Sequence, residues 1–399
     1  IATGYIPRTQ ESYRTGTEEE IAHDIPESNE AITFTYCTEA LLIRKNISPD
    51  EQSTTAGTLR EKLKPLGDSL IVSEGREKIK VHIHTNEPAK VFFLLREYGR
   101  IIEQKVDDMR LQYAATHNPV SRTAILTDSI ADIPRELIER YQIHVIPMKI
   151  LWGDDEYLDR LTITPETFYP YLDGRKEYPG SSIPDPRRVE QVMSWLAAHY
   201  ASIIAISVGK HLSGAWQVLE TSAKKLKESG YPVTVIDSRL NSAAQGLAVL
   251  SAAEDAAAGL CHEKIIGRLE STIARARIFV SVATFRYMIR GGRVSALKGF
   301  IAALANLKPI ISLDREGKGV AFAASLSQKG SMKKILRHVA ANRGTIGRYA
   351  VVHANAPELA QRYATEVASI LGKECDYIME ISPVVGIHAG IGAVAVAYL

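Results

Sequence analysis

The chain has 399 residues, room for two or three domains of about 100 to 200 residues each, and its 45% hydrophobic and 24% charged content excludes wholesale disorder. Forty-eight Lys and Arg against forty-six Asp and Glu leave a net charge of +2, too small for a long-range pull on nucleic acid or anionic lipid headgroups. Three widely spaced cysteines (Cys37, Cys261, Cys375) exclude a disulfide framework. Neither an apolar run of about 18 residues nor a signal-peptide pattern is present, so a cytoplasmic protein without an integral membrane segment is expected.

Residues 1–30 are polar and lack a sustained period, so they read as a linker or arm. From residue 31 the pattern becomes that of a compact α+β module reaching residue 116. AITFTYCTEALLI, SLIVSE and KIKVHIHT predict strands, and EPAKVFFLLREYG predicts a helix. The polar stretch THNPVSR then leads into a second regime at Thr123. Strands TAILTD, HVIPMKI, SIIAISV and PVTVID alternate there with amphipathic helices over 134–141, 184–200, 213–230 and 242–260. Strands without clean polar alternation, separated by helices, imply a doubly wound parallel sheet covered on both faces.

Beyond it, ARIFVSVA, PIISLD, GVAFAAS, YAVVHA, YIMEIS and GAVAVAYL predict further strands, with helices near 262–276, 331–342 and 357–371. The short REGK connection between PIISLD and GVAFAAS predicts a hairpin and therefore a mixed-sheet α/β lobe. The lobes are expected over 123–278 and 279–399, with ligand chemistry in the cleft between them.

His82 and His84 alternate on one strand and so project from the same face. With the Cys37 thiolate from another strand they suit a tetrahedral zinc site with one open position. The competing reading is a polar strand face beside a buried small hydrophobe. Thr127, Asp128 and Ser129 in TDSIADIP fall at the carboxyl end of the first parallel strand, where open α/β sheets bind ligands, although Asp132 before Ile133-Pro134 also serves as a helix cap.

Ser181 and Ser182 in GSSIPDP, and Ser213 and Gly214 in HLSGAWQ, offer neutral donors suited to a carboxylate headgroup. Arg290 and Arg293 flank glycines in RGGRVS, where backbone can approach an anion, and His388 lies between glycines in GIHAGIG. The GxSxG elbow, the dinucleotide fingerprint and the Walker loop are absent from the sequence.

Taken in order, TDSIADIP, SSIP, LSGAW, VIDSR, RGGRVS, LKPII and GIHAGIG over 123–399 resemble the DegV family of fatty-acid-binding proteins. YCTEALLI, LGDSLIV, KVHIHTNEPAKV and QKVDDMRLQ over 31–112 resemble the middle domain of bacterial fatty acid kinase, related to dihydroxyacetone kinases. The first resemblance implies a fatty acid with its tail buried between two lobes. Its carboxylate would be held by Ser181, where the family usually has Thr, and by Ser213, with Arg290 and His388 near the headgroup. The second implies a metal site at Cys37, His82 and His84.

Asp185, the AWQ after LSG, and Ile391 depart from the usual family pattern and bear on headgroup detail and acyl preference. Together the resemblances predict a chain that binds a long-chain fatty acid and presents its carboxylate for phosphorylation to an acyl phosphate. ATP and magnesium would enter only through a kinase domain, upstream or in trans; the start at Ile1 reads as the inside of a longer product. The chain alone is expected to carry rather than catalyse. The alternatives are a zinc-dependent hydrolase of the phosphatase kind using the Cys-His-His site, and a scaffold that mediates homodimer formation or docking.

Overall fold

The computed structural model describes residues 32–44, 52–174, 177–293 and 307–399. The expected arm over 1–30, and Val294 and Ser295 of RGGRVS, lie outside the described residues.

The first module is a four-stranded antiparallel sheet of order β2-β3-β1-β4, built from β1 (Tyr36–Arg44), β2 (Gly67–Glu74), β3 (Lys78–Thr85) and β4 (Gly99–Asp108). Helices α1 (Gln52–Leu63) and α2 (Pro88–Tyr98) accompany it. The alternation read in KIKVHIHT is realised: Ile79, Val81 and Ile83 enter a core with Leu42, Leu59, Phe92 and Leu95, while His82 and His84 take the opposite face.

Helix α3 (Met109–His117), capped by the Asp108 carboxylate accepting from Leu111 N at 2.8 Å, leads into lobe 1. That lobe's sheet has the order β11-β10-β5-β6, all parallel. Every residue of β5 (Thr123–Asp128) is buried, which explains why its sequence shows no alternation.

After α4 (Arg135–Tyr141) the segment HVIPMKI, expected as one strand, forms two: β6 (His144–Ile146) in the parallel sheet and β7 (Lys149–Trp152) in a separate one. Pro147 lies at the break, and a residue without an amide hydrogen cannot continue a ladder on that side. Strand β7 pairs with β8 (Asp155–Leu158) and, beyond α5 (Pro165–Leu172), with β9 (Gly180–Ser182). This small sheet carries the GSSIPDP loop, and its short strands leave no periodic mark in the sequence.

The lobe continues through α6 (Pro186–His199), β10 (Ser202–Ser207), α7 (Ala215–Glu228), β11 (Val233–Asp237), α8 (Ser242–Ala257) and α9 (His262–Arg275). Helix α8 is buried almost all round, as its Ala-rich sequence permits.

Lobe 2 contains a six-stranded mixed sheet of order β14-β13-β12-β17-β15-β16. Its elements are β12 (Arg277–Ser281), α10 (Arg286–Arg290), β13 (Lys308–Leu313), β14 (Gly319–Ser325), α11 (Gln328–Ala341), β15 (Tyr349–His353), α12 (Pro357–Leu371), β16 (Ile378–Glu380), α13 (Pro383–Ala389) and β17 (Val394–Tyr398). The expected β13–β14 hairpin forms. One apolar cluster runs through both lobes, joining Ile150, Ile204 and Phe168 to Val352, Val384 and Ile387.

The module docks on lobe 1 through polar contacts. Arg96 pairs with Asp155 and lies 3.8 Å over the Tyr157 ring, and Gln104 bonds the Glu156 carbonyl and the Thr162 hydroxyl. Among the described residues no helix is long and apolar enough to cross a membrane.

Candidate functional site

Two constellations emerge, one in the module and one where the lobes meet. In the module, Cys37 lies directly across from His84, and Glu39 from His82. The side chains of Cys37, His82 and His84 therefore share the sheet face away from the module core, and their ligand atoms all lie within 4.8 Å of one another. The Cys37 Sγ to His82 Nδ1 distance is 3.9 Å. Hydrogen bonding to Cys37 first, then to Glu39, raises the His82 pKa to about 10, so without an ion the cluster holds a proton that a metal would displace.

Carboxylates flank the group on both sides. Asp68 pairs across from His84, with its Oδ1 3.5 Å from His84 Nδ1, and Asp107 lies opposite Cys37 on β4. Asp107 in turn forms ion pairs with Lys105 and with Arg188 of lobe 1. Soft sulfur, two imidazoles and flanking carboxylates fit a zinc ion with oriented ligands. A cleft of about 1620 Å³ between module and lobe 1 runs past Glu39, Lys105, Asp107 and Arg188.

The second constellation gathers residues far apart in the chain. Ser181 on β9 places its Oγ 3.0 Å from Nε2 of His388 on α13. Arg293 links both donor loops, its Nε toward the Leu212 carbonyl at 3.4 Å and its Nη2 toward Ser181 Oγ at 3.5 Å. Arg290 stands 4.1 Å over the ring of Tyr178, whose hydroxyl donates to the Ile387 carbonyl. Both arginines are exposed, and no carboxylate pairs with either among the described residues.

Burial, reinforced by the Arg293 cation, pushes the His388 pKa down to about 3, so the imidazole is neutral. Its Nδ1 is buried without a hydrogen-bond partner among the described residues. A proton on Nε2 satisfies Ser181 Oγ and leaves the serine hydroxyl hydrogen free for an incoming anion.

Two glycines make this packing feasible. A Cβ on Gly291 would lie 2.4 Å from His388 Nδ1, and Gly390, at φ +77°, has the Tyr287 ring where a Cβ would go, 1.9 Å away.

The remaining expected residues divide. Ser182 neighbours Ser181 on β9 and therefore points to the opposite face. Ser213 accepts from Ala215 N at 3.3 Å, next to Gly214 at the N-cap of α7. Its loop adjoins the first one: a Cβ on Gly214 would be 3.2 Å from Ile183.

Thr127, Asp128 and Ser129 correct the expectation of a ligand-facing loop. All are at most 1% exposed and serve as framework: Thr127 donates to the Ile206 carbonyl, Asp128 accepts from Val208 N at 2.7 Å, and Ser129 donates to Asp159 at 2.6 Å. Burial raises the Asp128 pKa to about 6. His388, flanked by glycines in the sequence, belongs to helix α13. Asp132, expected as a helix cap, instead accepts from Ser382 N and the Ser242 hydroxyl, and α4, with Pro134 at its N-cap, has no side-chain cap. Tyr178, Asp159 and Arg160 escaped sequence reading, since a lone tyrosine and dispersed charges carry no periodic signal.

The protein is thus a two-lobed α/β fold with a hydroxyl–imidazole–arginine cluster at the lobe junction and an apolar core shared by both lobes. The chain belongs to the DegV family, whose model matches residues 122–399. The model of the FakA-like middle domain, a domain of fatty acid kinase, matches residues 33–116. Protein DegV of Bacillus subtilis is 29% identical over 278 residues, spanning 69% of this chain and 98% of that protein. A DegV domain-containing protein of Clostridium acetobutylicum is 28% identical over 285 residues, 69% of this chain and 98% of its own.

Among solved structures, the Bacillus subtilis DegV, described as a fatty acid binding protein, superposes with a TM-score of 0.64 at 27% identity, covering 70% of this chain and 99% of its own. A Thermus thermophilus DegV family protein, described by its fatty acid binding, gives a TM-score of 0.64 at 26% identity, covering 69% and 99%.

Proposed function

We propose that this chain binds a long-chain fatty acid between its two lobes and presents the carboxylate at Ser181, His388 and Arg293, with Arg290 beside it, for phosphorylation by an ATP- and magnesium-binding kinase domain. The observation that carries the reading is the Ser181–His388 contact, which joins the two lobes and leaves the Ser181 hydroxyl hydrogen as a neutral donor beside two arginines that have no carboxylate partner among the described residues. Neutral donors orient a carboxylate while leaving one of its oxygens able to attack a phosphoryl group.

The apolar residues Tyr178, Leu212, Val385, Ala389 and Ile391 pack partly buried against the common core and would line the path of the tail. Burial of an acyl chain contributes about 0.8 kcal/mol per CH₂, so affinity comes from the chain and the headgroup contacts set its direction. The fatty acid binding described for the Bacillus subtilis and Thermus thermophilus relatives supports the same reading.

We further propose that Cys37, His82 and His84 hold a zinc ion. When bound, zinc would supply a fixed positive charge and an open coordination position. The chain's own residues orient it: Glu39 and Asp68 stand against the two imidazoles, and Asp107 is tied to lobe 1 through Arg188. The middle-domain match supports a kinase partner, and three free cysteines suit a reducing cytoplasm.

Mass spectrometry of organic extracts from the native protein tests the first proposal. A bound C14 to C18 fatty acid is expected, and a lipid-free protein without affinity for such acids refutes it.

A further inference from the structure

Helix α13 belongs to lobe 2 and carries His388, but lobe 1 holds it. Ser382 N donates to Asp132 Oδ1 at 2.9 Å and Val384 N donates to Asp159 Oδ1 at 3.0 Å. Both carboxylates are at most 1% exposed. Their second oxygens are also occupied, Asp132 Oδ2 by the Ser242 hydroxyl and Asp159 Oδ2 by that of Ser129. Arg160 reaches both Asp132 and the Glu380 carbonyl just before the helix.

Further along, the Tyr169 hydroxyl donates to the Ile381 carbonyl at 3.2 Å, and Gly386 lies so close to Tyr169 that a Cβ would be 2.6 Å from that hydroxyl. At the far end Tyr178 donates to the Ile387 carbonyl.

This is more anchoring than a seven-residue helix needs for stability alone. Buried carboxylates and a partly buried guanidinium are costly to desolvate, and apolar packing of equal volume often serves stability as well. What these groups add is direction. Amides at a helix start aim along its axis, and two acceptors that each meet one of them fix the axis and its rotation. Ser181, the partner of His388, is itself on lobe 1. The same lobe therefore sets both sides of the contact.

We infer that Asp132 and Asp159 are positioning residues of the headgroup site: by accepting the amides of Ser382 and Val384 they fix helix α13 and hold the His388 imidazole against Ser181 and the fatty acid carboxylate. The ligand in this statement rests on the proposed function, while the placement of His388 does not.

Asp159 gives the cleaner test. Asp159→Asn keeps an oxygen for the Val384 amide and an NH₂ toward Ser129; Asp159→Ala keeps neither. The full chain is labelled with ¹⁵N-histidine, its His388 imidazole resonances assigned through His388→Gln, and hexadecanoic acid serves as ligand.

In Asp159→Ala the His388 resonances are expected to move and the Kd to rise about tenfold. In Asp159→Asn the resonances stay in place and the Kd remains within about twofold of the parent. Parental resonances and Kd in Asp159→Ala overturn the inference. So does an Asp159→Asn variant that behaves like Asp159→Ala, because charge rather than amide acceptance would then matter. Should Asp159→Ala not fold, Asp159→Ser, whose hydroxyl falls short of the Val384 amide, replaces it with the same expectations. A chain without affinity for hexadecanoic acid fails the proposed function instead, and the resonances of the lipid-free protein still decide this inference.

Discussion

Ser181 and His388, 207 positions apart in the chain, meet at 3.0 Å where the small β7–β8–β9 sheet of lobe 1 touches helix α13 of lobe 2. The contact couples the relative placement of the lobes to the geometry of the proposed headgroup site. A ligand held there reads both lobes at once.

Removing either partner should therefore weaken lipid binding without unfolding the protein. Ser181→Ala and His388→Ala are each expected to raise the Kd for hexadecanoic acid about tenfold, the first by removing about one hydrogen bond to a charged group and the second by removing the imidazole that orients the Ser181 hydroxyl. Ser181→Thr, which retains the hydroxyl, should bind as the parent does. Isothermal titration of the three variants checks this, and equal affinity in all of them would contradict the site.

Gly291 should tolerate no side chain. A Cβ there would lie 2.4 Å from His388 Nδ1 and 3.1 Å from the Tyr287 carbonyl, so Gly291→Ala must displace the imidazole. Lipid affinity is expected to fall as far as in His388→Ala, with a stability loss of about 1–3 kcal/mol from overpacking. Gly292→Ala meets no neighbouring atom among the described residues, yet its φ of +71° strains any side chain, so it should lose about 1 kcal/mol of stability while His388 stays in place. Thermal unfolding together with lipid titration separates the two.

Metal binding should follow the three ligands. Protein purified without chelator is expected to contain one zinc per chain by elemental analysis, falling to background in Cys37→Ala and His84→Ala. Chelation should lower the melting temperature through loss of ligand-linked stability. A zinc content unaffected by Cys37→Ala would exclude the site.

The buried carboxyls predict a pH signature. Burial raises Asp159 to about 7, against hydrogen bonds and the Arg160 charge that pull it down. An acid whose folded pKa exceeds its unfolded value of about 3.9 retains its proton longer in the folded state. Its contribution to stability is therefore greatest near pH 4 and is lost as pH rises toward 7. His388, lowered to about 3, acts in the opposite sense: its neutral folded form costs stability as pH falls below about 6.5. The difference between parent and Asp159→Asn isolates the carboxyl. Asp159→Asn should gain relative to the parent as pH rises from about 4 to 7, and parallel melting-temperature profiles over that range would contradict the assignment.

Much of this architecture is legible in the residues alone. The period-2 alternation of KIKVHIHT commits His82 and His84 to one face, because a strand offers its side chains no other choice. The fully buried strands Thr123–Asp128 and Ser202–Ser207 show as short apolar stretches without polar alternation, and proline-led helices such as Pro186–His199 announce their starts. These are local properties, written within a dozen neighbouring residues.

Tertiary structure decided what depends on distance along the chain. Strand register set Cys37 opposite His84 and Asp107, since alternation names a face but not a neighbour. The break at Pro147 divided one apolar run between two sheets and thereby created the platform for Ser181. Thr127, Asp128 and Ser129, polar residues at the end of a strand, turned inward because Val208, Asp159 and Ile206 offered partners that only folding brings near. The pairing of Ser181 with His388 was beyond sequence reasoning for the same reason: a hydrogen bond needs atoms within about 3 Å, and no spacing in the sequence encodes which distant segments will come that close.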